Sequence, residues 1–137
     1  RGLGDVYKRQ EFSLSTGKEE MINITSEIQN AIKESGVNEG FCIVYCPHTT
    51  AGITINENAD PDVVTDILFG LDKAFPDRPE FRHYEGNSAA HIKSSVIGTE
   101  KSIIISKGNL VLGRWQGVYF CEFDGPRTRT FYVKISS

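Results

Sequence analysis

Strand-like and helix-like patterns are segregated along this chain rather than alternating regularly. Two helix patterns lie next to each other in the middle, and strand patterns come after them at 102–106, 110–112, 117–123 and 129–135. Regular alternation would indicate a parallel sheet with crossover helices, whereas segregation indicates a mainly antiparallel sheet. At 137 residues the chain has the length of one domain that buries a core without disulfides. The sequence therefore predicts an α+β fold, a compact single domain with a mainly antiparallel β-sheet and about three helices.

The helix boundaries follow from capping and helix-ending residues. A first helix is predicted over 25–36, because a hydroxyl residue opens it and a glycine ends it. Asp60 and Pro61 predict the start of a second helix, whose apolar stripe over 63–75 is expected to pack in the core. Asn87 is expected to cap the third helix. Further strands are predicted earlier in the chain, at 12–14, 40–46 and 51–56.

Composition limits the partners and the compartment. Residues 1–10 look less like part of a domain than the rest of the chain, so we expect a non-native or disordered leader before a single domain over 11–137. No apolar run approaches the roughly 18 residues of a membrane span, and no signal-peptide pattern is present. The net charge of −3, without a basic stripe, argues against nucleic acid or a membrane as partner. A cytoplasmic protein is expected, with its cysteines (Cys42, Cys46 and Cys121) as buried free thiols.

Each of the three histidines lies in a dense polar motif. His48 precedes two threonines, His83 lies in a charged loop beside Glu85, and His91 lies near the start of the third helix. Three neutral imidazoles can hold one divalent transition metal and leave a position open for water or substrate. They can equally act as proton carriers and anion binders near neutral pH. Both alternatives predict one compact polar site that the three histidines share.

Polar residues flank the strand that comes after His48. Thr50 precedes this strand, and Asn56 and Glu57 end it. A helix needs only one capping residue, so Asn56 and Glu57 are candidates for ligand binding. They lie at the opposite end of the strand from His48 unless loops or neighbouring subunits bring the two groups together.

Other residues are suited to binding phosphate. Asn87 and Lys93 belong to the third helix, whose N-terminus favours anions such as phosphate or pyrophosphate. Arg127 and Arg129 come after a turn near the C-terminus, and their guanidinium groups suit phosphate oxygens. These side chains could bind a phosphorylated small molecule, but the arginines can equally form the charged tip of a hairpin.

A tryptophan and a glutamate complete the set of candidate residues. Trp115 and Gln116 come after a glycine-containing loop, and they could stack on and hydrogen-bond a flat heteroaromatic ring. A single tryptophan can equally belong to a core or an interface. Glu122 ends a strand, where a carboxylate can act as a general base or orient a histidine.

Taken together, these motifs resemble the YjbQ-type family of secondary thiamine-phosphate synthases. The matching pieces occur in the family's order over nearly everything after about residue 11. They are His48-Thr49-Thr50-Ala51, 55–61, Asn87 through Ser95, Gly108 through Gln116, and Glu122 to Arg127. The resemblance implies a small α+β fold that assembles as a homotrimer, with sites near subunit boundaries. It also implies that hydroxymethylpyrimidine diphosphate and a thiazole phosphate are joined with release of pyrophosphate, in an activity that is weak or secondary in the family.

The resemblance also implies roles for individual residues. The family's three histidines correspond to His48, His83 and His91, which are commonly viewed as a metal-binding cluster for a divalent ion such as Zn²⁺ or Mg²⁺. We expect these histidines and Glu122 to be catalytic. The expected substrate-binding residues are Thr50, Asn56, Glu57, Asn87, Lys93, Trp115, Gln116 and Arg127. A metal-dependent hydrolase and a non-catalytic trimer that binds metal or a small ligand are the alternatives.

Overall fold

A computed structural model of the protein describes residues 9–137. Most of the predicted leader, residues 1–8, lies outside the described residues. The first strand includes Arg9 and Gln10, which pair with Lys134 and Val133, so the sheet includes two residues that the sequence assigned to the leader.

Strands and helices form three layers. The strands are β1 (Arg9–Ser15), β2 (Glu20–Asn23), β3 (Gly40–Tyr45), β4 (Ala51–Glu57), β5 (Glu100–Ser106), β6 (Asn109–Leu110), β7 (Gln116–Glu122) and β8 (Thr128–Ser136). The helices are α1 (Thr25–Ser35), α2 (Pro61–Ala74) and α3 (Ser88–Ile97). A five-stranded sheet has the order β1-β8-β3-β5-β6, a three-stranded sheet has the order β2-β7-β4, and the strand pairs are antiparallel. The predicted α+β fold with three helices and a mainly antiparallel sheet is thus confirmed.

Strand β7 faces both hydrophobic cores, because successive side chains of a strand point to opposite faces of its sheet. Val118 and Phe120 belong to the main core, together with buried residues of the five-stranded sheet and of α1. Tyr119, Cys121 and Phe123 point the other way, into a second cluster that α2 and α3 cover. The central strand of the smaller sheet is therefore buried on both faces.

The predicted helix boundaries agree well with the structure. Gly36 ends α1 in the left-handed conformation, at φ 73°. The Asp60 side chain caps α2 by accepting a hydrogen bond from the Asp62 amide at 2.9 Å, and Pro61 is the first helical residue. The apolar stripe of α2 packs against the second cluster through Val64, Ile67, Leu68 and Leu71, as expected. None of its residues is fully buried, because α2 lies in the outermost layer and packs on the sheet along only part of its surface.

Gly52 allows α3 to lie directly against β4. A Cβ atom at this position would come within 2.5 Å of the Gly98 carbonyl oxygen. That oxygen accepts a hydrogen bond from the Ile53 amide at 3.0 Å, and Ser94 Oγ donates to the Ala51 carbonyl at 2.7 Å. Close backbone approach at Gly52 therefore sets the position of α3, and with it His91.

We expect Gly52→Ala to lower the free energy of unfolding by about 1–3 kcal/mol, since the new methyl group must displace the backbone at the end of α3. Gly70→Ala is the matched control, because a Cβ atom there meets nothing within 4 Å and the residue lies inside α2. That substitution should stabilise the protein by about 0.5–1 kcal/mol. Urea unfolding of both variants measures the difference, and equal effects would contradict the steric argument.

Candidate functional site

His48 is held at the end of β3 by a backbone amide of β8. The Thr130 N–H donates to His48 Nε2 at 2.9 Å. The imidazole also lies edge-on to Phe120, with ring centroids 6.5 Å apart. Burial and the nearby Arg129 charge lower the pKa of His48 from its ordinary value. His48 is therefore an oriented, predominantly neutral imidazole near pH 7.

The two other histidines lie beside each other at the start of α3. The rings of His83 and His91 have centroids 5.5 Å apart and are nearly perpendicular. His83 belongs to the exposed loop before α3, and its Nε2 is 3.0 Å from Glu85 Oε1. His91 is half-buried in the first turn of α3.

A depression of ≈ 280 Å³ brings many of the predicted site residues together; we call it the histidine cavity. It is lined by Pro47, His48, Thr49, Thr50, Glu85, Asn87, His91, Arg127 and Arg129. A second depression of ≈ 480 Å³, lined by His48, Thr49, His91, Ser94, Ser95, Gly98 and Thr99, shares three of these residues. His48 and His91 therefore face a common space, with His83 beside His91.

Beneath the histidine cavity lies a buried ion pair. Arg129 binds Glu122 through two hydrogen bonds, from Nε to Oε1 at 2.7 Å and from Nη2 to Oε2 at 2.5 Å. Arg129 Nη2 also donates to Thr50 Oγ1 at 2.8 Å, and Thr16 Oγ1 donates to Glu122 Oε1 at 2.5 Å. Glu122 is 0% exposed and Arg129 is 5% exposed. Both oxygens of Glu122 are thus engaged, so this carboxylate supports the cavity floor from below.

Asn87 and Arg127 are joined by Asp124. Asn87 Nδ2 donates to Asp124 Oδ2 at 2.8 Å, and Arg127 Nη2 donates to the same oxygen at 2.9 Å. Asn87 stands at the start of α3, but its side chain does not cap that helix as predicted, because its amide group is turned toward Asp124. Asn87 Oδ1 is buried and has no hydrogen-bond partner among residues 9–137. A ligand N–H group at the cavity could satisfy this acceptor.

The structure separates four predicted binding residues from the histidine cavity. Ala51 pairs with Glu122 at one end of the β4–β7 ladder, whereas Glu57 pairs with Gln116 at the other. Six residues of strand span about 20 Å. Asn56, Glu57, Trp115 and Gln116 therefore form a second polar group, which lies at the far end of the same sheet within one chain.

Lys93 is not placed at the histidine cavity. Its side chain is 2% exposed, and Nζ lies 2.9 Å from Glu19 Oε2 and 3.0 Å from Asp72 Oδ1. Burial alone would lower the pKa of Lys93, but the hydrogen bonds to these two carboxylates raise it. The lysine therefore stays charged and ties α3 to α2 and to the segment before β2. The structure therefore places Lys93 outside the histidine cavity, where the sequence suggested that it binds substrate phosphate.

Sequence reasoning missed Thr16 and Asp124 as supports of the site. Thr16 is 106 residues from Glu122 in the chain, and no local pattern marks their contact. The sequence did mark Arg129 as a candidate, because it comes two residues after Arg127 beyond a turn. In the structure its guanidinium group is the buried cation that binds Glu122.

In the part of the chain that the structure describes, the three histidines are not arranged as one metal site. Within residues 9–137, no group of three or more His, Cys, Asp or Glu side chains is placed to hold a metal ion. His48 already uses its Nε2 lone pair to accept from Thr130.

The three cysteines are free and buried as predicted, and burial raises the pKa of Cys42 and Cys46 to about 11 and that of Cys121 to about 12.

The ion pair beneath the cavity makes a testable contribution to acid stability. Burial alone would raise the pKa of Glu122, but hydrogen bonds from Arg129, Thr16 and the Asp124 amide lower it below the ordinary value of 4.5. A depressed pKa stabilises the fold above about pH 4.5, and this stabilisation is lost as the pH falls through the folded-state pKa. We expect the urea midpoint of the wild type to decrease as the pH is lowered below about 4.5. The midpoint of Glu122→Gln should decrease less steeply. The exposed control Glu34→Gln should keep the wild-type slope, and an equally steep slope in all three proteins would contradict the assignment.

Comparison with known proteins places the chain in a family. No helix within residues 9–137 has the length and hydropathy of a membrane-spanning segment. The sequence profile described as UPF0047 protein YjbQ-like matches residues 10–137. The UPF0047 protein YugU of Bacillus subtilis is 56% identical over 122 residues, which cover 88% of this chain and 92% of YugU. A UPF0047 protein of Methanocaldococcus jannaschii is 55% identical over 125 residues, which cover 90% and 91% of the two chains.

Solved structures agree with the sequence comparison. A conserved protein of the YjbQ/UPF0047 family from Clostridium acetobutylicum has a TM-score of 0.90 and 57% identity, with coverage of 92% of this chain and 98% of that one. A YbjQ-like protein from Sulfolobus solfataricus has a TM-score of 0.89 at 29% identity, with coverage of 93% and 95%. The profile match spans nearly all described residues, and the fold is shared over the same region. The chain therefore belongs to the YjbQ-like UPF0047 family.

Proposed function

We propose that the protein is a thiamine-phosphate synthase-like transferase that joins hydroxymethylpyrimidine diphosphate to a thiazole phosphate and releases pyrophosphate. The observation that carries this proposal is the histidine cavity, where His48, His91, Arg127 and Arg129 converge at the start of α3. Phosphorylated substrates of this kind are retained inside cells, so a cytoplasmic location is part of the proposal.

The cavity has donors that suit a diphosphate leaving group. In the reaction, the pyrimidine C–O bond breaks and its electron pair leaves with pyrophosphate. Arg127 is half exposed at the rim, and Arg129 Nη1 makes no hydrogen bond to residues 9–137. These guanidinium groups, with His91 and the amides that begin α3, can stabilise the charge that develops on the leaving oxygen.

The same cavity has an acceptor that suits the pyrimidine. Asn87 Oδ1 is buried without a partner among residues 9–137, and the amino group of the pyrimidine could donate to it. The thiazole nitrogen then attacks the cationic methylene carbon and forms the new C–N bond. The nitrogen uses its own lone pair, so this step needs no strong base.

The second polar group supports a site shared between copies of the chain. Trp115 is 56% exposed and lies about 20 Å along the sheet from the histidine cavity, together with Asn56, Glu57 and Gln116. In a homotrimer, this group of one subunit could face the cavity of its neighbour, where Trp115 would stack on a heteroaromatic ring. Mixed His91→Ala and Trp115→Ala subunits should then regain activity that neither variant has alone.

Mass spectrometry for thiamine phosphate tests the activity. Purified protein would be incubated with both substrates, with and without a chelator, and after addition of Zn²⁺ or Mg²⁺. Product formation at a rate above the protein-free control supports the transferase, and loss of product with chelator would support a role for a divalent metal. Folded, metal-supplied protein that forms no product would contradict the proposal and favour a hydrolase or a non-catalytic binding trimer.

A further inference from the structure

We infer that His48 is a fixed Nδ1–H donor to an anionic oxygen of the ligand in the histidine cavity, and that it is not a metal ligand. The inference begins with the partner of the other ring nitrogen. A backbone amide can only donate, so the 2.9 Å contact from Thr130 N makes His48 Nε2 an acceptor with a free lone pair. In the neutral ring the proton must therefore be on Nδ1.

The fold explains why His48 takes this role. The β3–β8 register ends at Tyr45 and Tyr132, and its continuation would place Pro47 opposite Thr130. The proline ends the strand here, so the Thr130 amide loses its partner at the edge of the ladder. The imidazole of His48 supplies the missing acceptor. The Thr130 amide thus fixes the tautomer of His48. Substitutions of side chains at the cavity surface do not remove this backbone donor.

The second nitrogen is available to a ligand. His48 Nδ1 makes no hydrogen bond to residues 9–137, and Asn87 Oδ1 is the buried side-chain polar atom without a partner in that range. Nδ1 is therefore accessible, on a residue that lines the cavity beside Arg127 and Arg129. Its N–H adds a neutral, directed donor to the two guanidinium groups. The identity of the acceptor as a phosphate-type oxygen rests on the proposed function.

A divalent metal would need a lone pair that His48 does not offer. Coordination through Nε2 would break the hydrogen bond from Thr130, and coordination through Nδ1 would require removal of the proton that the tautomer places there. Any metal in this region would therefore bind without His48. The family resemblance, by contrast, implies that all three histidines are ligands.

Nitrogen-15 NMR of the labelled wild-type protein tests the tautomer directly. We expect a pyrrole-type signal for His48 Nδ1 and a pyridine-type signal for Nε2, both unchanged when Zn²⁺ is added. Pyrophosphate should shift the Nδ1 signal and leave the Nε2 type unchanged. A protonated Nε2, or a shift of either His48 nitrogen on addition of Zn²⁺, would overturn the inference.

Two substitutions of His48 distinguish the roles of its two ring nitrogens. In His48→Gln the amide can reach the Nε2 position and accept from Thr130, whereas in His48→Asn it occupies the Nδ1 position and can donate to the cavity. His48→Gln should keep the wild-type Tm but bind pyrophosphate about tenfold or more weakly, as expected for a lost hydrogen bond to a charged group. His48→Asn should melt lower but bind pyrophosphate within about threefold of wild type.

The opposite order of affinities would overturn the donor role, as would a wild-type protein that does not bind pyrophosphate. If His48→Asn does not fold, the wild-type NMR result and His48→Gln still decide the question. If the transferase proposal alone is wrong, the experiments give a different result from the one that overturns the role of His48. Thiamine phosphate would not form, while the tautomer and the order of pyrophosphate affinities would stay as expected.

Discussion

Glu122→Ala is expected to lower the free energy of unfolding by about 3–5 kcal/mol, the usual cost of removing one partner from a buried ion pair. The substitution leaves the Arg129 guanidinium buried without its carboxylate. It also removes the acceptor for Thr16 Oγ1 and for the Asp124 amide. Because Arg129 and Thr50 border the histidine cavity, we expect the cavity to lose its ligand affinity as well.

Urea unfolding of Glu122→Ala and of the double variant Glu122→Leu with Arg129→Met measures this effect. The double variant removes both charges and fills similar volume, so it should be markedly more stable than Glu122→Ala. A double variant as unstable as the single one would show that the cost comes from lost packing. A loss below about 1 kcal/mol for Glu122→Ala would contradict the buried pair itself.

His91→Ala is expected to reduce kcat/KM for thiamine phosphate formation by about 10²–10³-fold, the effect of losing one group that stabilises a developing charge. His91 borders both depressions and lies beside His83, near the N-terminus of α3. The residue is half-buried, and alanine favours the helix, so the fold should stay intact.

Val96→Ala is the matched control for His91→Ala. It lies on the same helix, is 55% exposed and lines neither depression. It should retain the wild-type rate, and circular dichroism should show the same helix content in both variants. Turnover by His91→Ala within about threefold of wild type would remove this histidine from the proposed mechanism.

Local signals in the sequence predicted the elements well. The capping pair Asp60 and Pro61 marks α2 correctly, and Gly36 ends α1, because these residues act on the backbone within one turn. Most strands were found from alternating apolar residues. The strand β2 was missed, since its four residues are too few to show a period.

The candidate site was only partly predictable. The polar motifs of the sequence point to His48, His91 and Arg127, and all three residues line one cavity in the structure. The same reasoning assigned Lys93 to the cavity, although helix geometry turns it toward Asp72. Residues two apart on a helix point in different directions, and only the packing of α3 on β4 decides which of them faces the site.

Sequence alone determined where helices and strands begin and which residue types are available for chemistry, because those properties depend on neighbours within a few residues. The tertiary structure decided which strands pair and which polar atoms meet across the chain. Thr16 with Glu122, Thr130 with His48 and the separation of Trp115 from the histidines all arise in this way. The physical reason is that these contacts join segments tens of residues apart, and their geometry is set by the register of antiparallel strands and by burial of two cores.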